Sequence, residues 1–249
     1  MIQRMLASAL VAGCAAGLLA ALLHFAFVQK YILLGEAYET GAAVHFAGTA
    51  TGGLDHSANA SATEVTATTE DPANRNHAAD GEDASPLQRN ALTVMFHALL
   101  YCSYGLVMVA GFALVERYGH AISAREGLLW GIAGFVAVQL APAMGLEPEL
   151  PGTMGAALAD RQVWWVATVL CTAAAFAMIG YGRTLPWVAL AVVLLAAPHV
   201  VGAPEPEGFS GVAPPELAAA FAARSLGLGL AAWAVLGWLA GRFWGGRAV

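Results

Sequence analysis

Charge is what this sequence has least of. Of its 249 residues only 11% are charged and 59% are apolar, against about 25% charged and about 45–50% apolar in an ordinary soluble domain. That deficit excludes a water-facing surface over most of the chain. Lysine is almost missing: Lys30 stands alone, so no G-x-x-x-x-G-K-[ST] phosphate loop exists and ATP hydrolysis by that route is excluded. There is no H-E-x-x-H and no G-x-S-x-G. Nothing reads as an enzyme, and no tightly bound cofactor is expected. The cysteines Cys14, Cys102 and Cys171 form no C-x-x-C pair and sit inside apolar runs, where they read as small buried hydrophobes. Val11-Ala12-Gly13-Cys14 resembles a lipoprotein cleavage box, but the run before it is short and continues well past Cys14, which favours helix interior. A net charge of −6 with no basic patch argues against a nucleic-acid partner.

What the chain does have is long apolar runs broken by short polar ones. A membrane-crossing helix needs about 20 predominantly apolar residues. Six stretches meet or approach this: Met5 to Val28, Ala91 to Val115, Gly127 to Leu146, Val163 to Tyr181, Leu185 to Ala203 and Ser225 to Phe243. The fifth is the weakest, with Pro186 and Pro198 near its ends. The expected fold is an all-α polytopic membrane protein of about six transmembrane helices, or five without the weakest, forming one membrane domain in a lipid bilayer. Between the first two runs, Glu36 to Asn90 is expected to be a mobile outer loop. Its central part is rich in Ala, Thr, Asp, Glu, Asn and Gly and cannot bury enough apolar area to offset its ordering entropy.

Six spans put both termini on one side, with Arg4, Arg117, Arg125, Arg183, Arg242 and Arg247 against Glu116 and Glu126. The other side takes every remaining acidic residue, with Lys30, Arg75, Arg89, Arg161 and Arg224. The positive-inside bias therefore places both termini in the cytoplasm. Glycines recur at i, i+4 in Gly13/Gly17, Gly127/Gly131 and Gly237/Gly241/Gly245, a spacing that lets helix backbones approach closely. Ala141-Pro142 with Glu147-Pro148-Glu149, and Ala197-Pro198 with Pro204-Glu205-Pro206-Glu207, look like two copies of one helix ending. Each is followed by an arginine, Arg161 or Arg224, which suggests two hairpins of the same direction.

Polar groups inside a bilayer are costly and mark pathways. Here they are His24, Gln29, His97, Gln139 and His199, all near the expected outer side. Each alone reads more readily as an interfacial or hydrogen-bonded helix residue; their shared depth raises the functional reading. Beside them the outer surface offers Glu36 and Glu39, three apart, then His45, His56 and His77, and the acidic pairs Glu147/Glu149 and Glu205/Glu207. Imidazole with carboxylate suits divalent first-row metals. The histidine spacings in the loop form no compact metal motif.

Several segments resemble one family along nearly the whole chain. They are Arg4-Met5-Leu6, Glu36-Ala37-Tyr38-Glu39, Gly127-Leu128-Leu129-Trp130-Gly131, Leu140-Ala141-Pro142, Gly145-Leu146-Glu147-Pro148-Glu149-Leu150-Pro151-Gly152, Arg161-Gln162-Val163-Trp164-Trp165 and Ala197-Pro198-His199-Val200-Val201-Gly202-Ala203-Pro204. In these the chain resembles the CbtA family of predicted cobalt transporter subunits. The resemblance implies a bacterial inner-membrane protein of Co2+ uptake, linked to cobalamin synthesis. It also implies a small CbtB-like partner with one membrane helix and a His-rich end. Five helices are usual for such chains, whereas six runs are present here. The family's first outer loop is often His-rich, and here it is diluted to His45, His56 and His77. The metal candidates are thus Glu36, Glu39, His45, His24, His97, His199, Glu147 and Glu149. The rival reading is a membrane scaffold that holds the small partner and never binds the ion.

Overall fold

The computed structural model describes residues 2–44, 85–182, 184–208 and 210–245. All named elements among them are helical, and an isolated bridge between Thr153 and Gly211 supplies the extended pairing. Helix α1 runs as Ile2–Leu23, a π-helical segment His24–Val28, and Gln29–Glu39. Helix α2 is Pro86–Arg117. Helix α3 is Ala124–Phe135, a second π segment Val136–Leu140, and a last turn Ala141–Ala143. Helices α4, α5 and α6 are Leu158–Tyr181, Leu185–Val201 and Pro215–Gly245. Five of these six are long and apolar enough to cross a membrane; α5, at 17 residues, is the shorter apolar one. Pro186 fits the first turn of α5. At its far end Gly202 takes φ +87°, a conformation that ends the helix and that side chains adopt at a cost.

The expected loop from Glu36 to Asn90 is too long at both ends. The first helix does not stop at Val28: it continues through the π segment to Glu39, where the Thr40 hydroxyl donates to the Glu36 carbonyl at 2.9 Å. The second begins earlier, because Ser85 caps it, accepting from the Gln88 amide at 3.3 Å, and Pro86 occupies the first turn, where its missing N–H costs nothing. The centre of that stretch, with His45, His56 and His77, lies outside the described residues.

The glycine pattern decides the packing. Helices α1 and α2 run antiparallel, with Ala9 facing Gly105, Gly13 facing Cys102 and Gly17 facing Ala98. A Cβ added to Gly17 would lie 2.7 Å from the Ala98 Cα. Helices α3 and α6 make a second antiparallel seam of glycine on glycine. Gly127 and Gly131 meet Gly237 and Gly241, and a Cβ on Gly241 would lie 2.8 Å from the Gly127 Cα. Where helices associate without a water-driven hydrophobic effect, such backbone proximity is the main source of contact. Ser123 and Glu126 form a capping box at the start of α3, with the Ser123 amide donating to the Glu126 carboxylate at 3.0 Å.

Helix α1 packs against α6 as well as α2, so the core lies among these helices. Ala9, Ala12, Ala16 and Ala20 form a fully buried stripe on α1, against Tyr101, Met108 and Phe112 of α2 and Trp233, Leu236 and Ala240 of α6. Tyr104 stacks on Trp233, with ring centres 4.6 Å apart. The α4–α5 pair stands outside this core, and α5 rests mainly on α4. The two repeated segments therefore do not pack as two separate hairpins. Helix α3 pairs with α6 and α4 with α5, so each segment's helices interleave with the other's.

Candidate functional site

Antiparallel pairing of α1 with α2 and of α3 with α6 sets the helix ends expected on the outer side next to one another. At that end Arg224 of α6 lies over the Tyr31 ring at 4.5 Å, and Lys30 lies 5.0 Å from the same ring. Cations on an aromatic ring in this position suit a membrane–water boundary.

The sequence candidates fall into two groups. The first is a cleft of about 480 Å³ between the loop after α3 and the loop after α5. Its walls include Glu147, Glu149, Glu205, His199 and Arg161, with Met144 and Met154. The bridge between Thr153 and Gly211, with the Met154 amide donating to the Ser210 carbonyl at 3.1 Å, stitches the loops to one another. Behind the cleft, the Trp164 indole N–H donates to the Pro198 carbonyl at 3.1 Å, and its ring meets His199 edge-on, 6.0 Å between centres. The same carbonyl accepts from the Gly202 amide at 3.0 Å, so Trp164 adds a second hold on the helix end that carries His199. Gly145 permits this closeness, since a Cβ there would lie 2.6 Å from the Ala203 Cβ and 3.1 Å from the Trp164 ring.

Arg161 stands out in the sequence as the arginine that follows the first Glu-Pro ending and as the first residue of the R-Q-V-W-W run, with no partner indicated. It is part of the cleft, donating to Glu149 at 2.8 Å, with both side chains more than two-thirds buried. Gly155 leaves room for it: a Cβ there would lie 2.6 Å from the Arg161 guanidinium. Glu149 is therefore engaged, while Glu147 and Glu205 have no ion pair among the described residues. The cleft so offers two uncompensated carboxylates, an imidazole and two thioethers.

The second group lies along α1 and α2. Glu36 pairs with Arg89 at 3.3 Å, and the Gln29 amide donates to Asn90 at 3.0 Å. His24 and His97 face each other with ring centres 5.3 Å apart. Glu39 belongs with neither group, lying against Gly152 of the cleft loop. His45 lies outside the described residues. Among those residues, no three His, Cys, Asp or Glu side chains are gathered closely enough to hold a metal ion as they stand. Sequence reasoning missed the Arg161–Glu149 and Arg89–Glu36 pairs, which join residues distant along the chain. The R-Q-V-W-W run was the available signal for the first.

Residues 2–245 match the family model for CbtA, described as a probable cobalt transporter subunit. The chain belongs to the CbtA family. No curated protein and no solved structure matches it. The family's description fits an architecture that is helical among the described residues, with five helices long and apolar enough to cross a membrane. Of the seven segments that carry the likeness in sequence, three, from Gly145 to Gly152, from Arg161 to Trp165 and from Ala197 to Pro204, contribute residues to the walls of the cleft.

Proposed function

We propose that this chain takes up divalent cobalt, capturing the ion in the cleft between its two Glu-Pro loops. The observation that carries the reading is that Glu147 of the loop after α3, His199 of the last turn of α5 and Glu205 of the loop after α5 line one cleft, where Arg161 compensates only Glu149. Uncompensated carboxylates raise the local concentration of cations, and their field is strengthened by low-dielectric walls. Imidazole and thioether then favour a borderline first-row ion over magnesium or calcium. Glu36 and Glu39 would contribute to the same acidic outer surface rather than to coordination, since Glu36 is held by Arg89.

In this reading the chain sits in the bacterial inner membrane with both termini in the cytoplasm. It hydrolyses no ATP itself, serves cobalamin synthesis and works with a small single-helix CbtB-like subunit. The test is radioactive cobalt uptake in cells lacking other cobalt permeases, with and without that subunit. The triple variant Glu147→Gln/Glu205→Gln/His199→Ala is expected to cut saturable uptake at least about tenfold at equal membrane abundance. Uptake at the wild-type level would end the cleft reading.

The scaffold alternative draws on α5. Leu185, Val193, Val200 and Val201 are 61–83% exposed on a helix that touches little besides α4, a face open to another membrane helix. A purified chain that binds no Co(II), yet is needed for the partner's stability, would favour it.

A further inference from the structure

We infer that His24 and His97 form a second, bis-imidazole site for a divalent first-row cation on the α1–α2 seam, separate from the cleft. It requires nothing of the cleft reading beyond such an ion reaching the outer side.

Three observations carry it. The first is spacing. Two imidazoles bound at about 2.0–2.1 Å to one tetrahedral cation place their ring centres about 5 Å apart; here the separation is 5.3 Å with the rings tilted 55°. The second is orientation. The His97 Nδ1 lies 2.8 Å from the Thr93 carbonyl. A carbonyl only accepts, so Nδ1 carries the proton and Nε2 keeps its lone pair for a ligand. Metal-binding histidines are commonly held by such a bond on the other nitrogen. The third is the backbone. His24 begins one of the two π segments among the described residues, with the Gln29 amide bonding back to the His24 carbonyl. Single π turns concentrate at functional positions in helices.

The meeting of the rings follows from helix geometry. Every Cα–Cβ bond leans towards its own helix N-terminus. In an antiparallel pair His24 leans one way and His97 the other, and both remain half-buried rather than sealed. Among the described residues no third His, Cys, Asp or Glu joins them. The remaining coordination positions are therefore left to water or to the passing ion's other contacts. An incomplete set of this kind suits an ion that must leave again, where a closed four-ligand site would keep it.

The experiment uses the full chain, purified in detergent, with Co(II) alone as the probe. Histidine modification by diethyl pyrocarbonate is mapped by peptide mass spectrometry with and without the metal. His24 and His97 are expected to be protected together, at least about fivefold, at one Co(II) concentration. The same protection is expected in Glu147→Gln/Glu205→Gln/His199→Ala, which disables the cleft alone. In His97→Gln, protection of His24 is expected to need at least about tenfold more Co(II). Equal labelling of both histidines with and without the metal overturns the site. So does protection of His24 that persists unchanged in His97→Gln, or protection lost in the cleft variant.

Discussion

Helices α3 and α6 meet through backbone, whereas α4 and α5 meet through side chains. On the first seam four glycines interlock, with Ile122 and Ser123 facing Gly241 and Gly245 at its end. On the second, α4 presents buried Trp164, Thr168, Thr172 and Ala175, and α5 presents buried Ala191 and Pro198. One pair tolerates no added atom. The other is closed by buried side chains, and one of its ends opens into the cleft. The contrast separates a frame, made of α1, α2, α3 and α6, from a flank that bears half of the binding surface. A site that must admit and release an ion is better placed on the flank, where loops can shift without rebuilding the core.

This contrast can be broken most directly at the frame. Gly237→Leu puts a side chain into the Gly131 backbone and is expected to destabilise the chain by about 3 kcal/mol, read as lost thermal stability in detergent. A comparable Val193→Leu change on the open face of α5 should shift stability by less than about 0.5 kcal/mol. Equal losses at the two positions would erase the distinction. Between these extremes stands Arg161→Gln. It removes the partner of a largely buried carboxylate and is expected to cost about 1–2 kcal/mol, between the values for exposed and buried pairs. It also frees Glu149, so Co(II) affinity of the cleft should rise about threefold or more, checked by equilibrium dialysis. The smallest effect is expected from Arg89→Gln. That pair is 42% and 41% exposed, and its loss should be within about 0.5 kcal/mol in a melting curve.

The helices were legible in the sequence because a bilayer leaves so few alternatives: apolar length and charge deficit are read straight from composition. Counting along each run also put His24 and His97 toward matching ends of their helices, and the two rings do meet. What could not be read was which helix lies beside which. The glycine spacing of Gly127/Gly131 and Gly237/Gly241 told that each face was narrow, not that the two faces matched. The repeated Ala-Pro and Glu-Pro endings pointed to two hairpins, yet the closest packing joins α3 to α6. Arg161 looked like a helix start because its partner, Glu149, is held across a loop whose path depends on Gly152 at φ +78°. Neither π segment has a composition that separates it from α-helix, since one extra residue per turn leaves no mark in hydropathy.

The π segment of α1 has a consequence for alignment along the rest of that helix. A single α-helical residue turns the chain by about 100°, so one additional residue in a turn acts as a phase shift between the parts on either side. Below it, alanines and glycines face α2 and α6. Beyond it, Gln29 and Glu36 are brought round to Asn90 and Arg89. The inner and outer halves of α1 are thus keyed to their neighbours independently, and His24 stands at the joint between the two keys.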